Sequence, residues 1–563
     1  MTFIPKIAEQ RFLLNYIGGD HTAGVDDETR DAILEGAGQF AAGEWAPLSR
    51  IGDVVGAKFA QDRVVMPAGY AEAYQAYVEA GWGTIGVPER FGGQGLSFAL
   101  QTAVMETLGT ANMAFALCPT LTLGAVEALV HHGTVEQQRR YLPHLASGEW
   151  TGTMNLTEPQ AGSDVGALST RAQPRQDGTW LIAGTKIYIS FGDHDMAENI
   201  VHLVLARTPD APSGTRGISL FLVPKFRLDD AGRPGASNDV RTVSIEHKMG
   251  LHASPTCILS FGEDGDCVGE LVGPVGGGMA AMFTMMNNAR LTVGLQGVQI
   301  AEAATQKALA HARERVQSAR AGASDRAPVR IVEHPDVRRM LLRMKAQTQA
   351  ARALVYYAAA MVDRAADGED AARLRLELLT PLAKAHATDL GCEVASIGIQ
   401  VHGGMGYVEE TGAARFLRDA RITPIYEGTN GIQAADLVGR KLGLDGGHVF
   451  ERLIQEMRSE ASDTGLRNLI DACEGVGARL RTATSDDRLA ASYPFLTMLS
   501  TAVCGWLLER QTAATGDDAF GRDKRNTVRF YVEQILPEAF GLEAAATATA
   551  EVLYEIDADA LTT

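Results

Sequence analysis

The chain has 563 residues, enough for several hydrophobic cores, and its 46% hydrophobic and 21% charged residues are ordinary values for a globular protein. Its formal net charge of −18 argues against general nucleic-acid binding, because neutralising phosphates requires concentrated Lys and Arg. The last fifth of the chain, from residue 445 onward, carries 20 acidic and 11 basic residues and is therefore not a DNA-binding arm.

The N-terminal segment MTFIPKIAEQRFLLNYIGG has acidic and polar breaks and no small-residue cleavage site, so no signal peptide is predicted. No run of eighteen apolar residues occurs, and we therefore predict no membrane span. The six cysteines are scattered without a CxxC pair, which favours free thiols in a reducing compartment over a metal site or a disulfide framework. We expect a cytoplasmic protein that binds no metal.

The periodicity of the apolar residues divides the chain into four segments. Residues 1–150 have helical patterns, as in YAEAYQAYVEAGW at 70–82. Residues 151–272 change to short β-branched runs, predicted as strands at 180–190, 199–207, 217–226 and 256–261. Long helical patterns return at 273–444, including a helix that begins at Pro335, and residues 445–563 form an additional helical domain. The order predicts an α+β protein in which a β domain is inserted between helical layers.

The most informative motif is IYEGTNGIQ at 425–433. It places Glu427 between an aromatic residue and a glycine, at the junction of a loop and a predicted helix. If this carboxylate is buried, its pKa should rise towards neutrality, as a general base requires. The alternative is a carboxylate near a helix N-terminus that is favoured by the helix dipole.

Two further motifs lie in the predicted β domain. NLTEPQAGSDVGALSTRA at 155–172 forms a tight turn whose hydroxyls and backbone N–H groups could hold a phosphate or a polar heterocycle, although a plain Gly/Ser/Asp loop would look the same. GTKIYIS at 184–190 places Tyr188 and Ser190 on one face of a strand. An aromatic ring and a hydroxyl so placed could bind a flat cofactor, and a core tyrosine is the alternative.

Arg290 falls on an apolar helical stripe with Met286 and Val293, where a buried guanidinium requires an anionic partner unless its stem extends to the surface. The HGGMGY turn at 402–407 would let a ligand or another backbone come close. No dinucleotide-binding GxGxxG, P-loop, zinc motif or GxSxG is present, so these site classes have no support.

Seven collinear motifs across residues 40–445 resemble the acyl-CoA dehydrogenase flavoproteins. They are GVPERFGGQGL, LTEPQAGSD, GTKIYIS, KMGLHASPT, the Arg290 helix, QVHGGMGY and RDARITPIYEGTNGIQ. The resemblance implies an N-terminal helical domain (1–150), a middle β-barrel or sandwich domain (151–272) and a C-terminal four-helix bundle (273–444), with FAD between them. The additional domain (445–563) and RFLLNYIGG resemble the long members of the family, which implies a homodimer.

The resemblance also implies α,β-dehydrogenation of an acyl-CoA thioester, with Glu427 taking the α-proton and flavin N5 taking the β-hydride. The backbone N–H of Glu427 and a flavin hydroxyl would polarise the thioester carbonyl. Some relatives carry the base just before the family's arginine, where this chain has Ala289. Electron-transfer flavoprotein is the implied electron acceptor.

The family's binding residues map onto this chain by motif. Those implied to bind acyl-CoA are Ser163, Arg290 and Gly428. Those implied to bind FAD are Leu156, Thr157, Gly162, Ser163, Tyr188, Ser190 and Thr429, with Arg315, Gln317, Gln400, Gly403 and Gly404 from a second subunit. The chain departs from the family after Arg315, where Val-Gln-Ser-Ala and an insertion at 321–328 replace the usual R-x-x-F-G continuation.

Four functions are therefore open. The first is an acyl-CoA dehydrogenase for short- to medium-chain substrates, 3-methylmercaptopropionyl-CoA among them. The second is an acyl-CoA oxidase that uses oxygen, and the third is a DNA-associated alkylation-response flavoprotein of the same fold, which the acidic C-terminal domain disfavours. A non-enzymatic flavoprotein comes last, because Glu427 would then be idle. We expect neither a nucleic-acid nor a membrane partner.

Overall fold

The computed structural model describes residues 3–17 and 25–562, apart from the side chains of Met285 and Asn287. The chain divides into two compact units. One, the sheet unit, comprises residues 23–289, and the other, the helical unit, comprises residues 1–22 and 290–563. Glycines 18 and 19 of the RFLLNYIGG motif lie outside the described residues.

Helices dominate both units. In chain order, the helices up to residue 147 are α1 (Ile7–Tyr16), α2 (Asp27–Phe40), α3 (Ala46–Val55), α4 (Tyr70–Glu79), α5 (Phe98–His132) and α6 (Val135–Ser147). Those that follow the strands are α7 (Gly278–Glu314), α8 (Pro335–Ala366), α9 (Asp370–His402), α10 (Ala414–Ala420), α11 (Asn430–Gly439), α12 (His448–Glu460), α13 (Thr464–Thr482), α14 (Ser485–Ala513), α15 (Ala519–Phe530), α16 (Leu536–Phe540), α17 (Glu543–Thr547) and α18 (Glu551–Tyr554). Capping residues fix several of the starts: Thr134 and Gln137 form a reciprocal capping box at α6.

The strands all lie in the sheet unit. They are β1 (Lys58–Ala60), β2 (Arg63–Val65), β3 (Trp150–Asn155), β4 (Arg171–Pro174), β5 (Trp180–Ser190), β6 (Asn199–Arg207), β7 (Ile218–Pro224), β8 (Phe226–Leu228), β9 (Pro234–Ser237), β10 (Val240–Ile245), β11 (Thr256–Phe261) and β12 (Val268–Val272). The predicted strands at 180–190, 199–207 and 256–261 are confirmed to the residue. The strand predicted at 217–226 is shorter, Ile218–Pro224, and these are the residues that pair with β6.

The main sheet has the strand order β10-β11-β5-β12-β7-β6-β3, with β4 paired to β5 and β6. Strands β3 and β6 run parallel, and the neighbouring pairs along the rest of the path are antiparallel. Successive residues of β6 enter opposite cores: Val201 and Leu203 pack in one apolar cluster, and Val204 and Ala206 pack in the other. The period of two therefore buries both faces of the sheet at this strand.

In the helical unit, α7 and α9 approach each other closely through small residues. A Cβ added at Gly297 would lie 2.1 Å from the Ala387 carbonyl oxygen, and one at Gly294 would lie 2.7 Å from that of Ala383. The additional C-terminal domain is helical, as predicted. Its long helix α14 packs against α8, α9 and α11, so the domain covers the helix that follows the Glu427 loop.

Among the residues that the structure describes, two helices, α5 and α14, are long and apolar enough by composition to cross a membrane. The sequence prediction of no membrane span, which counted only unbroken apolar runs, stays a prediction. Within the most apolar windows, 61% of α5 and 83% of α14 are buried inside the protein, which is also true of core helices. The six cysteines are free thiols, as predicted.

Candidate functional site

The Glu427 loop joins α10 to α11 in the helical unit. Thr429 caps α11 by accepting a hydrogen bond from the Ile432 N–H at 3.1 Å, and the Asn430 N–H donates to the Pro424 carbonyl at 2.9 Å. These bonds hold Glu427 at φ +54° and Gly428 at φ +83°. A non-glycine residue in the left-handed region stores strain, and such strain is concentrated at functional sites.

The Glu427 carboxylate is partly buried and has two basic neighbours. Burial raises its pKa, while Arg290 and Lys384 act in the opposite direction. Lys384 is fully buried on α9, and burial lowers its pKa to about 8 against the attraction of Glu427 and Asp389. Burial therefore raises the pKa of Glu427, which is the direction that the sequence analysis predicts and that a general base requires.

Arg290 lies inside the protein, as its position on the apolar stripe predicts. Its side chain is 7% exposed, and the nearby carboxylates that favour its charge are Asp436 and Glu427. Arg290 Nε is buried and has no hydrogen-bond partner among the described residues. A buried guanidinium with an unused donor can bind an anionic or carbonyl oxygen of a ligand.

Asn430 ties the start of α11 to α9. Its Nδ2 donates to Asp389 Oδ1 at 2.9 Å and to the Ala385 carbonyl at 3.1 Å, and its Oδ1 accepts from Lys384 Nζ at 2.8 Å. Asp389 Oδ2 in turn accepts from the Tyr493 hydroxyl on α14 at 2.6 Å. A continuous polar chain therefore joins the additional C-terminal domain to the helix that follows Glu427.

In the sheet unit, the 156–170 loop is organised around Glu158, which is 2% exposed. Its carboxylate accepts hydrogen bonds from Lys186 Nζ at 2.8 Å and from the backbone and hydroxyl groups of Ser169 and Thr170. Burial alone would raise the pKa of Glu158, but Lys186 and these donors outweigh it and lower the pKa to about 2. Thr157 and the exposed Gly162 and Ser163 lie on the loop that this ion pair holds.

Tyr188 and Ser190 lie near the end of β5, where Tyr188 is exposed and Ser190 is partly buried. The pairing of β5 with β11 shifts between Lys186 and Ile189, so two residues of β5 face one of β11. This bulge leaves Tyr188 at φ +61° with 60% of its side chain exposed. The alternative of a core tyrosine is therefore wrong, and the aromatic ring is free to stack on a ligand. Leu156, next to Thr157, is partly buried.

The residues predicted to serve a second subunit's cofactor are exposed. Arg315 and Gln317 follow α7, with the Arg315 guanidinium donating to Gln317 Oε1 at 3.0 Å. The insertion at 321–328 is the tip of a small hairpin closed by the paired backbones of Gln317 and Val329. Gln400 lies in the last turn of α9, and an added Cβ at Gly403 or Gly404 would meet nothing within 4 Å.

Each unit thus offers surfaces that suit a flat, phosphate-bearing cofactor. The sheet unit presents an exposed aromatic ring and a hydroxyl-rich glycine loop. The helical unit presents Thr429 and the buried amide of Gln433. The Nε2 and Oε1 atoms of Gln433 have no hydrogen-bond partner among the described residues. Gln433, Lys384 and Glu158 were missed as functional residues in the sequence. The signal for Lys384 was a lysine inside an otherwise apolar and small-residue stretch, TPLAKAHATDL.

Known families match almost the whole chain. The N-terminal domain of acyl-CoA dehydrogenases matches residues 27–149, the middle domain residues 153–263 and the C-terminal domain residues 276–443. A fourth match, described as acetyl-CoA dehydrogenase C-terminal like, covers residues 454–557 of the additional domain.

Individual relatives agree with these matches. The chain is 45% identical to the 3-methylmercaptopropionyl-CoA dehydrogenase of Ruegeria pomeroyi, covering 94% of this chain and 93% of that protein. It is 36% identical to a butyryl-CoA dehydrogenase of Syntrophomonas wolfei, over 93% and 91%. An acyl-CoA dehydrogenase complexed with FAD from Bacillus anthracis shares the fold, with a TM-score of 0.74, 22% identity, and 95% of this chain and 90% of that one covered. The chain belongs to the acyl-CoA dehydrogenase family, with its three-domain fold and an additional C-terminal helical domain, and is an FAD-dependent oxidoreductase that acts on acyl-CoA.

Proposed function

We propose that this enzyme catalyses α,β-dehydrogenation of a short- to medium-chain acyl-CoA, with 3-methylmercaptopropionyl-CoA as the first candidate, and that Glu427 is the catalytic base. The observation that carries the proposal is a strained, partly buried carboxylate whose pKa burial raises. Bound FAD supplies the acceptor for the β-hydride. The similarity to the Ruegeria pomeroyi dehydrogenase supports the choice of substrate.

The chain's own residues account for the acid–base part of the reaction. Glu427 takes the α-proton: burial raises its pKa, while Arg290 and Lys384 oppose that rise and favour the ionised form that can accept a proton. The backbone N–H groups of residues 427–429 donate to no acceptor among the described residues, so they are available to polarise the thioester carbonyl. Tyr188, Ser190 and the loop of Thr157, Gly162 and Ser163 would hold the flavin in one subunit. Arg315, Gln317, Gln400, Gly403 and Gly404 would hold the adenosine end from the partner.

We further propose that the enzyme is a cytoplasmic homodimer that passes its electrons to electron-transfer flavoprotein. The additional C-terminal domain supports the dimer, because it covers α8 and α9 surfaces that would otherwise be open to another copy. The six free thiols support the location, because a reducing compartment keeps cysteines unpaired.

Anaerobic bleaching of the flavin tests the proposed reaction. Purified enzyme is mixed with butyryl-CoA, octanoyl-CoA or 3-methylmercaptopropionyl-CoA, and the absorbance of the oxidised flavin is followed. We expect rapid bleaching by at least one of them, and reoxidation by electron-transfer flavoprotein that is faster than reoxidation in air.

Rapid reoxidation in air alone would instead identify an oxidase. A flavin that no acyl-CoA bleaches, in a protein that binds DNA in a salt-dependent manner, would contradict the proposal and favour the alkylation-response function.

A further inference from the structure

The helical unit contains a cavity of about 670 Å³ that is separate from the predicted catalytic residues. It is lined by the N-terminal segment at residues 5–9, the second half of α7, Val332, α8 as far as Arg352, and α15. None of the residues predicted to bind FAD or acyl-CoA lines it. Its volume lies within the range of small-molecule sites, roughly 300–1,000 Å³.

The lining is basic in an acidic protein. Six cationic residues line the cavity against three carboxylates, Glu9, Glu302 and Asp523. Glu302 pairs with Arg352 at 2.7 Å and with Lys6 at 3.3 Å, and Glu9 pairs with the buried Lys524. These ion pairs use two of the three carboxylates of the lining. The excess of basic residues here contrasts with the net charge of −18 of the whole chain.

Two cationic groups are left over at the exposed part of the lining. Arg313 and Arg338 have no carboxylate partner in the part of the chain that the structure describes, and Lys345 lies 4.0 Å from Asp523. Guanidinium groups bind carboxylates and phosphates through paired N–H donors. A ligand with one such head group would reduce this excess of positive charge.

The rest of the lining indicates two further properties of a ligand, an apolar part and a hydrogen-bond donor. Apolar side chains from four elements contribute to the wall: Ile7, Leu309, Leu341, Leu342 and Phe520. Gln349 Oε1 is buried without a hydrogen-bond partner among the described residues, so it can accept a hydrogen bond from a ligand N–H or O–H. We propose that this cavity binds an amphipathic organic anion, with a carboxylate or phosphate head and an apolar body.

Calorimetric titration of the flavoenzyme, with its acyl-CoA site saturated by an enoyl-CoA, tests the site. The probes are octanoate, octyl phosphate and inorganic phosphate. We expect saturable binding of one octanoate or octyl phosphate per chain, the tighter of the two identifying the head group, and much weaker binding of inorganic phosphate. Arg313→Ala with Arg338→Ala should weaken binding at least about tenfold.

Arg339→Ala is the matched control, because Arg339 neighbours Arg338, pairs with Asp336 at 2.8 Å and does not line the cavity. No saturable binding would overturn the proposal, and so would equal binding by the double variant and the control, because the probes would then bind without Arg313 and Arg338. Both variants change exposed residues, so folding is not at risk.

A different observation, the polar chain through Asn430, carries a second inference, which rests on the proposed role of Glu427. We infer that Tyr493 is a positioning residue for the catalytic base, acting from the additional domain through Asp389 and Asn430. The Tyr493 hydroxyl donates a hydrogen bond to Asp389, and Asp389 and Lys384 both hydrogen-bond to the Asn430 amide. Asn430 is the first residue of α11 and lies three residues after Glu427.

The electrostatic consequence follows from the charges along this chain. An ionised Asp389 favours protonated Lys384, and protonated Lys384 favours ionised Glu427. Loss of the Tyr493 hydrogen bond raises the pKa of Asp389 and so weakens both effects. The other charged or titratable groups that interact with Asp389, Lys384 and Glu427 are Arg290, Arg421, Tyr426 and Cys392.

We therefore expect Tyr493→Phe to shift the acid limb of the kcat profile upwards by about half a pH unit, because Glu427 must be ionised to act. Tyr531→Phe is the matched control: its buried hydroxyl donates to the Thr501 carbonyl in the same domain, so it should change stability and leave the pH profile unchanged.

Equal profiles for Tyr493→Phe, Tyr531→Phe and wild type would overturn the inference. The proposed function is tested separately by Glu427→Gln. If that variant is inactive while Tyr493→Phe has a normal profile, only the positioning role fails.

Discussion

Glu427→Gln should retain FAD and lose about two to three orders of magnitude in turnover, the range expected for removal of a general base. The amide keeps the shape of the carboxylate but cannot take a proton. None of the residues implied to bind FAD is changed, so the spectrum of the oxidised flavin should remain normal. Anaerobic single-turnover bleaching by the best acyl-CoA measures the effect directly, without product release.

The pH dependence gives a second measure of the same role. Because burial raises the pKa of Glu427 above the ordinary value of 4.5, the wild-type rate should fall as the pH drops through that raised pKa. The glutamine variant should lack this limb. Glu410→Gln, which changes an exposed glutamate of the same unit, is the control and should behave as wild type. Near-normal turnover of Glu427→Gln would show that another group takes the proton.

The sequence predicted those parts of the fold that depend on local periodicity. Strand β5 was predicted to the residue, since its apolar positions and turn residues bound it on both sides. The bulge at Tyr188 was not predictable, because it depends on how β11 pairs with β5 across some seventy residues. That bulge decides whether the ring is buried or exposed.

The candidate site shows the same division. Glu427 could be found because its flanking residues signal a loop followed by a helix. Lys384 and Asp389 could not, since their roles depend on α9 lying beside the start of α11. Tyr493 is more than sixty residues from Glu427 in sequence and reaches it only through side-chain hydrogen bonds. Tertiary contacts of this kind leave no local pattern.

The second large effect is expected on stability, from Lys186→Met in the sheet unit. The variant keeps an unbranched side chain of similar shape but leaves the Glu158 carboxylate buried without its counter-charge. Removing one partner of a buried ion pair costs about 3–5 kcal/mol, and the loss should appear as a lower denaturant midpoint. Weaker FAD retention should accompany it, because Lys186 Nζ also donates to the Leu156 carbonyl at 3.0 Å.

Two comparisons distinguish the loss of the Lys186–Glu158 ion pair from a nonspecific loss of stability. Arg175→Met removes a more exposed pair with Asp177 in the same unit and should cost less than about 1 kcal/mol. In the wild type, the pKa of Glu158 is about 2 in the folded protein against an ordinary 4.5, so its contribution is complete above about pH 4.5 and is lost as the pH falls towards 2. Lys186→Met should largely abolish this acid-dependent loss, since Lys186 is the strongest of the groups that hold the pKa of Glu158 down. An unchanged acid transition in the variant would show that the Ser169 and Thr170 donors alone keep the carboxylate ionised.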